Sequence, residues 1–359
     1  MHVVYHSFLG RFSDNPRALY ERLRDRPGLT HTWLLDPAHA AAFPSDVRTV
    51  AVTGPTDEQA RAVLESADLV VANTHTEFEW DKPAGTTYLQ TWHGTPLKRI
   101  HRDVLFAPEG RLDYLDRDIA RWDVLLSPNP VSSERMRKAF SFSGPIWETG
   151  YPRNDLLVGP QAATVRATVR AELGLADDET VVLYAPTWRD DEKFREDGGT
   201  LEMHLHLGEL VRRLDGESGA PRHRVLARLH NMVTEQIHPE AAPGVVDVSY
   251  YRDVRELYLA ADVLVTDYSS VMFDFALTGK PLVFYAYDLD RFRDEIRGFY
   301  FDLLTEAPGP VVRTEDQLVD ALAAPEPERW AERYAGFCAT YGQLEDGHAT
   351  DRVLERLGL

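Results

Sequence analysis

The chain has one cysteine, no long apolar run and a shortage of positive charge. With Cys338 alone there is no intrachain disulfide, a Cys-based zinc site would have to recruit other ligand types, and the residue is expected simply to pack in a helix. No segment approaches the roughly 20 apolar residues of a membrane span, and Met1-His-Val-Val-Tyr-His6 lacks a basic region followed by a long apolar one, so a cytoplasmic protein is expected. Lys and Arg number 39 against 58 Asp and Glu, a net charge of −19. Non-specific nucleic-acid binding needs a large positive surface, so no nucleic-acid partner is expected. Walker-type phosphate loop, Ser-His-Asp triad, internal repeat and low-complexity segment are all missing.

What is present is ordinary core material, 43% hydrophobic over 359 residues, enough for two domains. The first half alternates strands and helices. Strands are expected at Val3–Tyr5, Thr32–Leu35, Val47–Val52, Asp68–Ala72 and Thr87–Trp92, with helices from Asn15-Pro16 to Arg24 and over Thr56–Ser66. A second series brings a helix over Ala162–Leu173, strands at Thr180–Tyr184, Val225–Leu229 and Val245–Val248, and a helix over Asp253–Ala260. The stretch Asp262–Tyr285 then reads strand, polar turn, helix, strand. Thr314–Leu359 is mostly helical without a strand partner. The rhythm predicts an α/β protein with two doubly wound sheets, whose ligands belong at strand C-termini.

Polar residues collect at those predicted ends: Trp92-His93-Gly94-Thr95, Ala185-Pro-Thr-Trp-Arg-Asp190, Arg228-Leu-His230-Asn231 and Thr266-Asp-Tyr-Ser-Ser270. A neutral imidazole such as His93 suits proton abstraction from a hydroxyl near pH 7, and Gly94 lets a substrate approach the backbone. Arg189 offers a planar fork for phosphate oxygens, although Asp190 or Asp191 could occupy it. His230 could bond a phosphate or move a proton. Thr266, Asp267, Ser269 and Ser270 crowd a helix start, where free N–H groups attract anions; helix capping alone is the competing explanation. Asp116-Arg-Asp118 and Asp288-Leu-Asp290 have Asp-x-Asp spacing but no third ligand close in sequence, so no metal is expected.

Taken together, Gln90-Thr-Trp-His-Gly-Thr-Pro-Leu-Lys98, Tyr151-Pro-Arg-Asn-Asp155, Tyr184-Ala-Pro-Thr-Trp-Arg-Asp190, Arg228-Leu-His230, Val265-Thr-Asp-Tyr-Ser-Ser270 with Phe273-Asp-Phe275, and Arg297-Gly-Phe-Tyr-Phe-Asp302 resemble the CDP-glycerol glycerophosphotransferase family, from Ser13-Asp-Asn-Pro-Arg17 to Asp346-Gly-His-Ala-Thr350. The resemblance implies a GT-B fold: two Rossmann-like domains facing a central cleft, an acceptor-side domain at 1–157, a donor-binding domain at 158–340, and a closing segment at 341–359 returning to the first. It implies transfer of glycerol phosphate, or another polyol phosphate, from a CDP-glycerol or CDP-ribitol donor to an acceptor hydroxyl with release of CMP, in teichoic acid or capsule polymer synthesis and without cofactor or metal.

Carried over residue by residue, the resemblance makes His93 the general base and His230 the residue at the donor pyrophosphate, roles that could be exchanged. Gly94, Thr95, Arg189, Thr266, Asp267, Ser269 and Ser270 would serve the donor, and Asp14, Asn15 and Arg17 the acceptor side. Asn231 departs from the family, which commonly has proline there. The acceptor would be a lipid-linked or polymeric polyol phosphate or glycan at the inner face of the membrane, with Lys98, Arg99, Arg102, Leu105 and Phe106 as a possible peripheral contact. A GT-B glycosyltransferase using a nucleotide sugar and a non-catalytic polymer-binding protein of the same fold remain the alternatives.

Overall fold

The structure, a computed structural model, describes residues 1–54, 56–105, 110–187, 203–216, 222–229, 242–296 and 298–359. Arg189, Asp190, Asp191, His230, Asn231, Arg297 and Phe106 lie outside the described residues. The chain forms two compact units: residues 1–95, 100–155 and 343–359 make the first, and 96–99 with 156–342 make the second.

In the first unit the strands are β1 (His2–His6), β2 (Thr30–Leu35), β3 (Thr49–Ala51), β4 (Leu69–Ala72), β5 (Thr87–Gln90), β6 (Val124–Ser127) and β7 (Ile146–Glu148). They form one sheet in the order β3-β2-β1-β4-β5-β6-β7, every pair parallel. Short β-rich runs buried on both faces suit such a sheet, because helices cover both sides of a parallel sheet. Alternation along the strands divides their residues between two cores. Val4, Leu34, Val70, Ala72, Tyr88 and Leu125 share one. Val3, Tyr5, Trp33, Val71, Leu89 and Leu126 share the other with Leu19 and Leu23 of helix Asp14–Leu23 and Val353 and Leu354 of helix Ala349–Leu357.

Several bonds lock that closing helix into the first unit. The Asp155 carboxylate accepts from the amides of Ala349 (2.9 Å) and Thr350 (2.8 Å), satisfying N–H groups that a helix start leaves open. Arg352 donates to the Thr149 carbonyl at 2.8 Å, and the Glu345 carboxylate accepts from the Tyr151 amide at 3.1 Å. Gly150 sits in the left-handed region (φ +75°), and a Cβ there would lie 2.6 Å from the Leu344 carbonyl oxygen.

The second unit repeats the plan. Strands β8 (Thr180–Ala185), β9 (His223–Ala227), β10 (Val245–Asp247), β11 (Val263–Thr266), β12 (Leu282–Tyr285) and β13 (Val311–Val312) lie in the order β10-β9-β8-β11-β12-β13, again parallel. Residues 96–99 join this unit through a bridge between Lys98 and Phe299 and a bond from the Tyr300 amide to the Leu97 carbonyl at 2.9 Å. In both sheets the order reverses at the first strand, between β1 and β4 and between β8 and β11. Such reversals leave a crevice at the strand C-termini.

Differences from the sequence reading are local. Val47–Val52 contributes only β3, and Thr87–Trp92 stops being a strand at Gln90 because Trp92 adopts φ +52°, which no strand can continue. Strands β6, β7 and β13 were not anticipated. Cys338 lies half-buried in helix Pro327–Tyr341.

Candidate functional site

In the first unit the site is built where β1, β4 and β5 end. After β5 the Trp92 amide donates to the Gln90 side-chain oxygen (2.9 Å), the Thr91 amide donates to the Ala72 carbonyl (2.7 Å), and Asn15 Nδ2 donates to the Trp92 carbonyl (3.1 Å). This bend delivers His93 to the end of β4. Its Nδ1 lies 2.5 Å from the Asn73 carbonyl oxygen. A carbonyl only accepts, so Nδ1 carries the proton and the Nε2 lone pair is left for a substrate.

The imidazole stacks on Trp92 at 4.3 Å between centroids and meets the Phe8 ring edge-on at 5.4 Å. Burial pushes its pKa below the ordinary histidine value, against the Asn73 bond and Asp14, which raise it; Arg153 and His75 add to the lowering. His93 is therefore neutral at pH 7.

Asp14 and Asn15 are buried, and their polar groups are turned onto protein. Asp14, itself left-handed at φ +63°, pairs with Arg153 at 2.7 Å, both side chains nearly enclosed. Asn15 Oδ1 accepts from the Arg153 amide at 3.0 Å. The Arg153 guanidinium lies 4.9 Å from the centroid of the Tyr151 ring, whose hydroxyl donates to the Gly94 carbonyl at 3.3 Å. Asp14, Asn15, His93 and Gly94 thus belong to one network, closed by Tyr151 and Arg153. Thr95 is buried beside it in sequence. Arg17 lies farther along the helix, where its Nε donates to Glu21 at 2.7 Å and its guanidinium sits 5.3 Å from the centroid of the Phe12 ring.

In the second unit Thr266 and Asp267 end β11. Thr266 Oγ1 donates to the Ala185 carbonyl at 2.7 Å. Asp267 Oδ1 accepts from the amides of Thr187 (2.8 Å) and Tyr268 (2.5 Å), tying the turn after β11 to the segment after β8. Ser269 and Ser270 follow, half-buried, at the start of helix Val271–Ala276. Capping accounts for little here: Ser270 makes no side-chain cap bond, and Ser269 Oγ is 3.5 Å from the Val271 amide, at the limit of a hydrogen bond. Arg189 and His230 lie outside the described residues.

The two Asp-x-Asp pairs are each split between separate partners. Asp116 pairs with Arg102, while Asp118 is buried and accepts from Thr76 (2.5 Å), Trp122 (2.9 Å) and Tyr88 (3.2 Å). Asp288 accepts from the Tyr268 hydroxyl (2.9 Å), and Asp290 pairs with Arg313 (2.7 Å). Among the described residues no group of three or more His, Cys, Asp or Glu side chains is arranged to hold a metal ion, and no helix is long and apolar enough to cross a membrane.

Sequence reasoning overlooked Phe8, Asn73 and the role of Arg153. A polar residue directly after the buried run Leu69–Ala72 was the available signal for Asn73.

Two Rossmann-like parallel-sheet units, each with polar groups at its strand reversal, are the architecture of the GT-B class. The sequence profile of the CDP-glycerol:poly(glycerophosphate) glycerophosphotransferase family matches residues 1–359. The chain belongs to that family and is a transferase of the CDP-glycerol glycerophosphotransferase type. It is 37% identical over 366 residues to the teichoic acid glycerol-phosphate transferase of Staphylococcus aureus (strain NCTC 8325 / PS 47), covering 99% of this chain and 92% of that protein. It is 35% identical over 367 residues to the teichoic acid poly(glycerol phosphate) polymerase of Bacillus subtilis (strain 168), covering 98% of this chain; it spans only 48% of that longer protein. Among solved structures, the wall teichoic acid polymerase TagF superposes with a TM-score of 0.86 at 32% identity, over 99% of this chain and 88% of that one.

Proposed function

We propose that the protein moves glycerol phosphate from CDP-glycerol onto an acceptor hydroxyl of a growing polyol-phosphate polymer and releases CMP. The observation that carries this is the bond from His93 Nδ1 to the Asn73 carbonyl, which leaves Nε2 of a neutral imidazole to take a proton. The acceptor hydroxyl attacks the phosphorus that bears the glycerol and its proton passes to His93 Nε2. The new O–P bond forms as the P–O bond to CMP breaks, and CMP leaves with the electron pair. His93 then returns the proton to solvent.

Little covalent work falls to the protein in such a transfer, so positioning and charge neutralisation dominate. On the donor side Ser269, Ser270 and the amides after Asp267 would bind the pyrophosphate, with Thr266 and Asp267 shaping the turn and Gly94 and Thr95 assisting. Arg189 and His230 are assigned to the donor phosphates and leaving CMP on the resemblance alone. Asp14 and Asn15 would serve the acceptor side indirectly, by holding the backbone around His93, and Arg17 by contact.

Glycerol is preferred to ribitol because both curated relatives described above are named for glycerol phosphate. A lipid-linked acceptor and peripheral residence at the inner membrane face complete the reading. Purified protein is to be given CDP-glycerol, CDP-ribitol or hexose nucleotides with a glycerol phosphate-primed acceptor. CMP release from CDP-glycerol, lost by more than about 100-fold in His93→Ala with the fold intact, is the expected result. Release of UDP or GDP from a sugar nucleotide would transfer the assignment to glycosyl transfer.

A further inference from the structure

We infer that Phe8 is a positioning residue for His93, held beside the imidazole by a strained turn that is anchored on the side chain of Asn73. The inference rests on His93 being the base. One residue after β1, past Ser7, the chain takes three successive left-handed residues, Phe8 (φ 42°), Leu9 (φ 61°) and Gly10 (φ 111°). Only Gly10 is suited to that region; Phe8 and Leu9 carry side chains that disfavour it.

Four hydrogen bonds hold the turn against this preference. The amides of Gly10 (2.9 Å) and Arg11 (2.7 Å) donate to the Ser7 carbonyl, the Asp36 amide donates to the Gly10 carbonyl (3.0 Å), and the Phe8 amide donates to Asn73 Oδ1 (3.0 Å). Gly10 admits no substitute, since a Cβ would lie 2.1 Å from the Asp36 nitrogen. Packing of Leu9 does not account for the strain, because that residue is 51% exposed. Strained non-glycine backbone that the surroundings over-determine is concentrated at functional sites.

The turn places the Phe8 ring 5.4 Å from His93, edge-on. Asn73 sets both partners at once: its side chain holds the Phe8 backbone and its main-chain carbonyl holds His93 Nδ1. With Trp92 stacked on the imidazole as well, rotation about χ2, which would turn Nε2 away from a substrate, is obstructed. The ring itself is half-buried, and Phe8 covers part of it. Among the described residues, the charged and titratable groups whose fields act on His93 are Asp14 from the first helix, Arg153 from the turn Pro152–Asn154, and His75 from the segment after β4. Asp14 favours the imidazolium; Arg153 and His75 oppose it. Phe8 acts with the latter two by excluding solvent, and it does so without charge.

The test compares the full chain with Phe8→Gly and Phe8→Tyr by three measurements: CMP release as a function of pH, the titration of His93 by NMR with His93→Gln for assignment, and thermal unfolding. Glycine relieves the left-handed strain, so Tm is expected to stay or rise. The kcat should fall about 10-fold or more while KM for CDP-glycerol stays within about twofold, as expected when only orientation is lost. The His93 titration and the acid limb of kcat/KM should move up together by about half a pH unit or more. Tyrosine should restore both. Wild-type turnover with an unmoved titration in Phe8→Gly overturns the proposal, as does a fall in kcat that only follows a fall in Tm. Should His93→Gln keep full turnover, the base assignment fails. The titration then decides the packing role alone, a shift retaining it and an unmoved curve removing it.

Discussion

His6 ends β1 with its ring wholly enclosed, and neither nitrogen has a hydrogen-bond partner among the described residues. Its pKa is pushed down to about 4 by burial, with Asp118 pulling weakly the other way. An unfolded histidine titrates near 6.5. The folded protein therefore binds fewer protons than the unfolded chain between these values, and stability that is complete above pH 6.5 is lost as the pH falls toward 4. Between pH 7 and pH 5 this one group should cost roughly 2 kcal/mol. Urea unfolding at the two pH values should show that loss in the native chain and much less of it in His6→Met, which carries no titrating group; equal pH dependence in both would discard the idea. Not all buried polarity behaves this way. Asp14 and Arg153 lie side by side in a pair whose disruption leaves an unmatched charge inside, a far larger penalty than an exposed pair would exact. From the sequence, Asp14 and Arg153 were both visible as motif members, but their partnership across the chain was not.

Among the elements, the buried strands were the most legible because their apolar runs are unbroken: Val3–Tyr5, Asp68–Ala72 and Thr180–Tyr184 each coincide with the core of a strand. The edge strands β7 and β13 have three and two residues, too few for any periodicity to register. The candidate site was legible where a polar residue follows such a run, as at His93 and Asp267, and illegible where its geometry lies in the backbone, as with the left-handed Phe8 and Trp92. Helix capping, the competing explanation for the turn after β11, was hard to weigh because residue type alone cannot report whether a hydroxyl reaches an amide. The segment from Gln343 onward gives a test at this scale. Gly150→Ala would press a Cβ against the Leu344 carbonyl in a backbone conformation that already disfavours alanine. A loss of about 2 kcal/mol or more in urea unfolding is expected, together with faster amide exchange in helix Ala349–Leu357. Unchanged exchange in that helix would mean that the contact does not hold the segment.

At the scale of the molecule, two parallel sheets of like strand order carry the candidate groups at their C-terminal ends, but the chain does not visit the two units once each. The first unit is assembled from three stretches, and its core includes Val353 and Leu354. Residues 1–155 alone should therefore show a sheet with one face incompletely covered, low unfolding cooperativity and rapid proteolysis, whereas 1–155 linked to 343–359 should give a dispersed NMR spectrum. A cooperative, protease-resistant 1–155 fragment would contradict this. The closing helix also has a consequence in time. A ribosome delivers the amino-terminal strands first, yet the first unit lacks part of its core until residues 353 and 354 have emerged. The second unit, begun later, has all its segments in hand by residue 342. During synthesis the second unit is thus complete first, and the unit bearing His93 is finished only once helix Ala349–Leu357 has emerged.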